Sequence, residues 1–187
     1  MFQFIGPNFK VFIIHYVSIR NIIPILEVIA NEEKTSKKNL FALYEKVRLA
    51  ISSDIVAPYI KKNTLKVLRL SRSFSEYLFE NWKDIDSYIC EKATIKIFSR
   101  EFIAESNSLA TSPVIICVSP LLYVARKFIN EMCNLKNVHI ISDLEVHSAL
   151  ELSTNIRLEI ISDIGDGAGA QELKNQSRKI EALKKRI

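Results

Sequence analysis

The sequence predicts an α/β protein: an N-terminal helical subdomain followed by a small α/β subdomain, then a linker and a C-terminal helix. Apolar residues recur at helical spacing before Lys62 and fall into short aliphatic runs after it. A strand, serine, helix order occurs twice, around Ser71 and around Ser119. Three of the four glycines gather at Gly165, Gly167 and Gly169. These features divide the chain into a poorly defined segment 1–16, a helical subdomain 17–63, an α/β subdomain 64–164 and a linker with basic amphipathic helix 165–187.

Asn21 is placed to cap the first helix, with Pro24 in its first turn, where an imino nitrogen loses no helical hydrogen bond. Ile22, Leu26, Ile29 and Ala30 then follow at helical spacing. After a polar break at 31–39, the residues Leu40, Tyr44, Val47 and Ile51 make one stripe that Glu45, Lys46 and Arg48 avoid, the pattern of a helix packed on one face. Residues 65–70 read as a strand, and Ser73 with Glu76 has the spacing of a capping box opening the next helix. Residues 93–98 alternate and read as a strand before a short helix at 100–106. Residues 114–118 form a further strand, with Ser119 as the expected cap of the helix 121–132. Residues 138–141 are another strand, and 156–160 alternate as a strand with one wet face at a sheet edge. Strands alternating with helices at these intervals indicate a small α/β layer.

The glycine-rich stretch 165–170 has no side chain larger than Asp and is expected to be a flexible linker. Leu173, Ile180 and Ile187 beyond it stand seven apart, with Leu183 between, on a basic helix of two heptads, fewer than sustain a coiled coil, so the expectation is a frayed or weakly self-associating helix.

Composition excludes several classes. At 187 residues, 48% hydrophobic and 25% charged, the chain is neither disordered nor low-complexity. The net charge is +5, of which +3 lies from Gly165 onward, so the body lacks the dense basic face of a nucleic-acid binder. No run of 18 apolar residues spans a membrane, and the N-terminal stretch is broken by Asn8, Lys10 and His15 without a signal-peptide cleavage site. Cys90, Cys117 and Cys133 show no CxxC pairing and read as reduced, small apolar residues. His15, His139 and His147 are scattered among apolar runs with no nucleophile or metal-ligand spacing beside them. The Gly165–Gly169 stretch lacks the Gly-Lys-Ser/Thr of a phosphate loop. Asp84 with Asp86, and Asp163 with Asp166, lack a partnering histidine, and Trp82 with Phe79 reads as core or interface. The expectation is a protein with no catalytic centre, no cofactor and no metal.

One set of residues is more specific. Val17-Ser18-Ile19-Arg20-Asn21, then Ile25-Leu26-Glu27, then Leu43, Val47-Arg48 and Ile51 resembles the FlhA/SctV (LcrD-like, FHIPEP) family, the large export-gate subunit of bacterial type III secretion systems. The family pattern there is VSIR(D/N), ILE, and a helix carrying VR. The resemblance continues in order through 65–71, through 111–120 with Arg126-Lys127-Phe128-Ile129, through 138–145 and through 155–164. It implies the C-terminal part of the cytosolic domain and a place at the cytosolic face of the inner membrane. It also implies a homo-oligomeric ring, nonameric in the family, and partnership with export chaperone-substrate complexes and other export-apparatus subunits. Direct chaperone binding is not expected, because the family's groove depends on subdomains that nothing in 1–16 resembles. The candidate interaction residues are Arg20, Glu27, Arg48 and Arg126. Arg20 stands just before the first helix, where the dipole favours anions, so its use is a partner carboxylate across a subunit boundary or an intrachain pair such as Glu45. The residues themselves leave open a stand-alone α/β enzyme or nucleotide binder, and a split gene product or non-functional remnant.

Overall fold

The computed structural model describes residues 22–32, 40–81, 92–107, 109, 113–152 and 155–170. These residues form two compact units. The first comprises those up to Ile60 together with Leu144–Asn155; the second comprises Lys61–Asp143 together with those from Ile156 on.

In the first unit, α1 (Ile23–Glu32) packs on α2 (Leu40–Ala50), which is followed by the short helix α3 (Ser52–Val56) and a 3-10 turn, Ala57–Tyr59. The stripe read from the sequence is the buried one: Tyr44, Val47 and Ile51 are inaccessible, together with Ile25 and Val56. Arg48 is buried with them. The segment Leu144–Asn155, which lies inside the 64–164 stretch of the sequence, belongs to this unit and adds Val146 and Ala149 to its buried set.

The chain enters the second unit through β1 (Ile60–Lys61), a two-residue turn and β2 (Thr64–Leu70). Lys62 and Asn63 both have positive φ, 49° and 59°, the pairing a two-residue hairpin of the twist-compatible kind requires. The main strands of the sheet are parallel and ordered β5 (Arg157–Ile164), β2, β3 (Val114–Cys117), β4 (His139–Ser142). Strand β2 is central. Leu65, Val67, Leu68 and Leu70 are all buried, the near-continuous apolar run that a parallel strand covered on both faces demands. β5 pairs with β2 over its whole length, from Thr64–Arg157 to Leu70–Ile164, with a bulge after Val67. Lys66 pairs with Glu159 and Arg69 with Asp163 along this edge, the second through two hydrogen bonds of 2.7 and 2.8 Å.

Helices α4 (Arg72–Asn81), α5 (Lys92–Ser106) and α6 (Leu122–Arg126), the last continuing as a π-helical turn Lys127–Met132, complete the unit. Phe74 of α4, Phe98 of α5 and Phe128 after α6 form a ring cluster with centroids 5.0–5.1 Å apart.

Three expectations are corrected here. Residues 93–98 are the first turns of the fifteen-residue helix α5, not a strand with a separate helix after it. Thr94, Phe98 and Phe102 are its buried residues, at i, i+4 and i+8, so the helical period wins over an alternation that six residues cannot distinguish. The cap of α4 is Ser71: its Oγ accepts the Phe74 amide at 3.2 Å, while Ser73 donates to Asp166 at 3.0 Å and Glu76 pairs with Arg72. The starts at Ser119 and Leu122 carry no side-chain cap hydrogen bond; instead Asp143, which opens α7 (Asp143–Glu151), accepts the Ser119 amide at 2.8 Å.

Residues 165–170 also differ from the expected linker, since 166–170 are helical and packed. Glu101 of α5 accepts the amides of Gly165 and Gly167 at 2.7 and 2.9 Å, and Ala168 is fully buried. The glycines serve close approach. A Cβ at Gly169 would lie 2.7 Å from Ser73 Oγ and 3.0 Å from the Phe74 backbone nitrogen, and Gly165 has φ +92°. Gly165→Ala therefore costs about 1–3 kcal/mol of unfolding free energy, read as a lower urea midpoint at unchanged slope, through a backbone conformation that alanine adopts only under strain. A flexible linker would show no change.

Candidate functional site

The four candidate interaction residues are not brought together. Arg20 lies outside the described residues. Glu27 is exposed on α1 beside Ile23 and Leu26, which are 64% and 51% exposed. Arg126 is half-buried and donates from Nη2 to the Ile140 carbonyl at 3.0 Å, tying the helix after β3 to strand β4. Arg48, only 1% exposed, is interior.

Arg48 is built into its place by helical spacing. Tyr44 stands four residues before it on α2, so the phenol ring lies beneath the guanidinium, 5.5 Å from centroid to Cζ, and its hydroxyl accepts from Nη1 at 3.3 Å. The Glu145 carboxylate of α7 accepts from Nε in a short charge-assisted bond. At the start of α3, Ser52 donates to Ser148, one turn beyond Glu145 on α7, at 3.0 Å. The first unit is thus seamed by two polar rungs, one ionic and one neutral. Burial opposes the arginine's charge, but Glu145 and the Tyr44 oxygen outweigh it and hold the guanidinium pKa above its ordinary value. The VR pair that marked the motif places a structural ion there. The sequence carried one signal of this, Arg48 following Val47 on the edge of the apolar stripe, but its counter-ion lies 97 residues away.

In the α/β unit, the position where parallel sheets commonly hold phosphate is the crevice at the carboxyl ends of the strands. The amides there are satisfied from within the chain at three strand exits: Ser71 after β2, Asp143 after β3 and Glu101 after β5. Glu101 supplies the carboxylate that the Gly165–Gly167 amides would otherwise offer to an anion. Among the described residues no cluster of three His, Cys, Asp or Glu side chains has metal-binding geometry. Cys117 is buried with its thiol 3.6 Å from the Ile141 carbonyl. His147 pairs with Glu151 on the surface of α7.

Against known proteins, the model of the FHIPEP family matches residues 9–151. The chain belongs to the FHIPEP family. This family comprises the export-gate subunits of type III secretion, the group that the VSIRN, ILE and VR residues resemble. Solved structures of the same fold include the Shigella flexneri MxiA protein, 16% identical with a TM-score of 0.68. The match covers 84% of this chain and 48% of that one. The Chlamydia pneumoniae CdsV protein is 19% identical with a TM-score of 0.63, covering 84% of this chain and 44% of that one. The nonameric SctV-C of EPEC is 20% identical, also with a TM-score of 0.63, covering 83% and 46%. This chain therefore spans just under half the length of these FHIPEP-type structures. No curated protein sequence matches it significantly. Among the described residues no helix is long and apolar enough to cross a membrane.

Two outcomes follow from the geometry. Arg48→Met and Glu145→Leu each strand a buried charge and lower the unfolding free energy by about 3–5 kcal/mol, whereas the double variant recovers most of the loss. Additive losses in a denaturant double-mutant cycle would show that the pair is not coupled. The second outcome concerns His139, whose pKa is lowered by burial and by the nearby Arg126 charge. The folded state therefore favours the neutral ring, and its contribution is present above the unfolded pKa of about 6.5 and lost as pH falls through the lower folded value. Melting followed from pH 7.5 to 5 drops more steeply in wild type than in His139→Gln.

Proposed function

We propose that this chain acts in protein export as part of the cytosolic domain of a type III secretion export-gate subunit, flagellar or injectisome, at the cytosolic face of the inner membrane. It contributes there to a homo-oligomeric ring and to handing export substrates on to the gate. The observation that supports this most is the family match over 9–151, which runs through both units in one continuous stretch. The nonameric state of SctV-C supports the ring. Exposed Ile22, Ile23 and Leu26 around Glu27 give α1 an apolar outer face that suits contact with a neighbouring subunit. Arg48 acts from inside, by fixing α2 against the Glu145 segment, and Arg126 by fixing the helix after β3 to β4. Export chaperone-substrate complexes and the other export-apparatus subunits are the partners.

The test is genetic and biochemical. Deleting the coding segment in its own cell should cut secretion of the system's substrates at least tenfold, and the wild-type chain should restore it. The Arg48→Met/Glu145→Leu protein, folded but without the ion pair, should restore it as well. Unchanged secretion after deletion would sink the proposal.

A further inference from the structure

The second unit carries a groove of about 260 Å3 lined by Ser75, Glu76, Phe79, Glu80, Val118 and Leu121. Its floor is the buried Leu121, and its walls are Phe79 of α4, 62% exposed, and Val118 after β3, 46% exposed. Phe79 and Val118 thus leave an apolar surface open on two elements that line one groove. One rim is acidic. Glu76 is held by Arg72 at 2.8 Å, while Glu80, one turn further on, is exposed and makes no ion pair among the described residues.

We propose that residues 171–187 of the same chain dock in this groove, apolar side chains against Phe79, Val118 and Leu121 and basic side chains toward Glu80. Three observations bring them together. The first is chemical: the segment offers Leu173, Ile180, Leu183 and Ile187 with six basic residues against two acids, the complement of an apolar groove with an acidic rim. The second is the point of departure. The helical turn 166–170 is pinned by Gly169 against Ser73 and Phe74 at the start of α4, the helix whose later turns form the groove wall. The third is reach. Phe79 lies six residues beyond Ser73, about 9 Å along the helix, whereas the seventeen residues after Ala170 span about 25 Å even if fully helical. A weakly self-associating basic tail tightens as salt screens its own repulsion. Docking between opposite charges loosens with salt, so the two are separable by sign.

Trypsin supplies the readout, because the segment contains Lys174, Arg178, Lys179, Lys184, Lys185 and Arg186. On the intact full-length chain at low salt, cleavage within 171–187 should be at least fivefold slower than in Phe79→Ser, Val118→Ser or Glu80→Lys. These three replace exposed side chains and should leave the melting temperature unchanged. The wild-type rate should rise toward that of the variants at about 0.5 M salt, where the Debye length falls to a few ångströms. It should also be independent of protein concentration. Equal rates in wild type and all three variants at low salt would overturn the proposal. Protection that grows with concentration would overturn the intrachain assignment in favour of a second copy's tail.

Discussion

The second unit depends on one constraint: β2 is buried on both faces and hydrogen-bonded on both sides, so it is complete only when the last strand has returned to it. Ser71 donates its amide to the Ile164 carbonyl and Arg157 donates to the Asn63 carbonyl, which fixes β5 at both ends of β2. Between those strands the chain has to lay down α4, α5, β3, α6, β4 and α7. The phenylalanine cluster of α4, α5 and the turn after α6 belongs to the same circuit. Such a sheet pays its loop-closure entropy before its central strand is rewarded, which favours slow, all-or-none formation over piecewise assembly.

The strand exits extend this logic. Parallel strands leave a row of backbone donors at their carboxyl ends, and many α/β proteins turn those donors into ligand sites. Here Ser71, Asp143 and Glu101 fill them, so a sheet of ligand-binding topology is used as a rigid plate.

Much of the fold was legible because its signals were local. The stripe Tyr44, Val47, Ile51 and the aliphatic runs at 65–70, 114–117 and 138–141 each carry the buried residues of their elements. The errors arose where the deciding partner is remote. Residues 93–98 alternate by accident, and the helical period becomes decisive only with the burial of Phe98 against Phe74 and of Phe102 one turn on. Ser73 looks like a cap until Asp166, 93 residues on, claims its hydroxyl. Gly165, Gly167 and Gly169 read as slack because nothing nearby shows that Glu101, Ser73 and Phe74 crowd against them. For Arg48 and Arg126 the sequence pattern carries no direction. An arginine that faces inward and one that faces a neighbour look alike in sequence, and the choice is made by a distant Glu145 and by the Ile140 carbonyl.

The helical unit is discontinuous in sequence: its first part ends at Ile60 and its remainder, Leu144–Asn155, sits between β4 and β5. Dissection of the molecule has to respect this. A gene fragment cut after the hairpin at Lys62-Asn63 carries Arg48 without its carboxylate, and the complementary fragment carries Glu145 without its guanidinium, so each half inherits an orphaned charge. The two parts can exchange or diverge only as a threaded pair, and a permuted chain that joins Leu144–Asn155 directly to the first sixty residues is the smallest arrangement in which the helical unit keeps its own counter-ion.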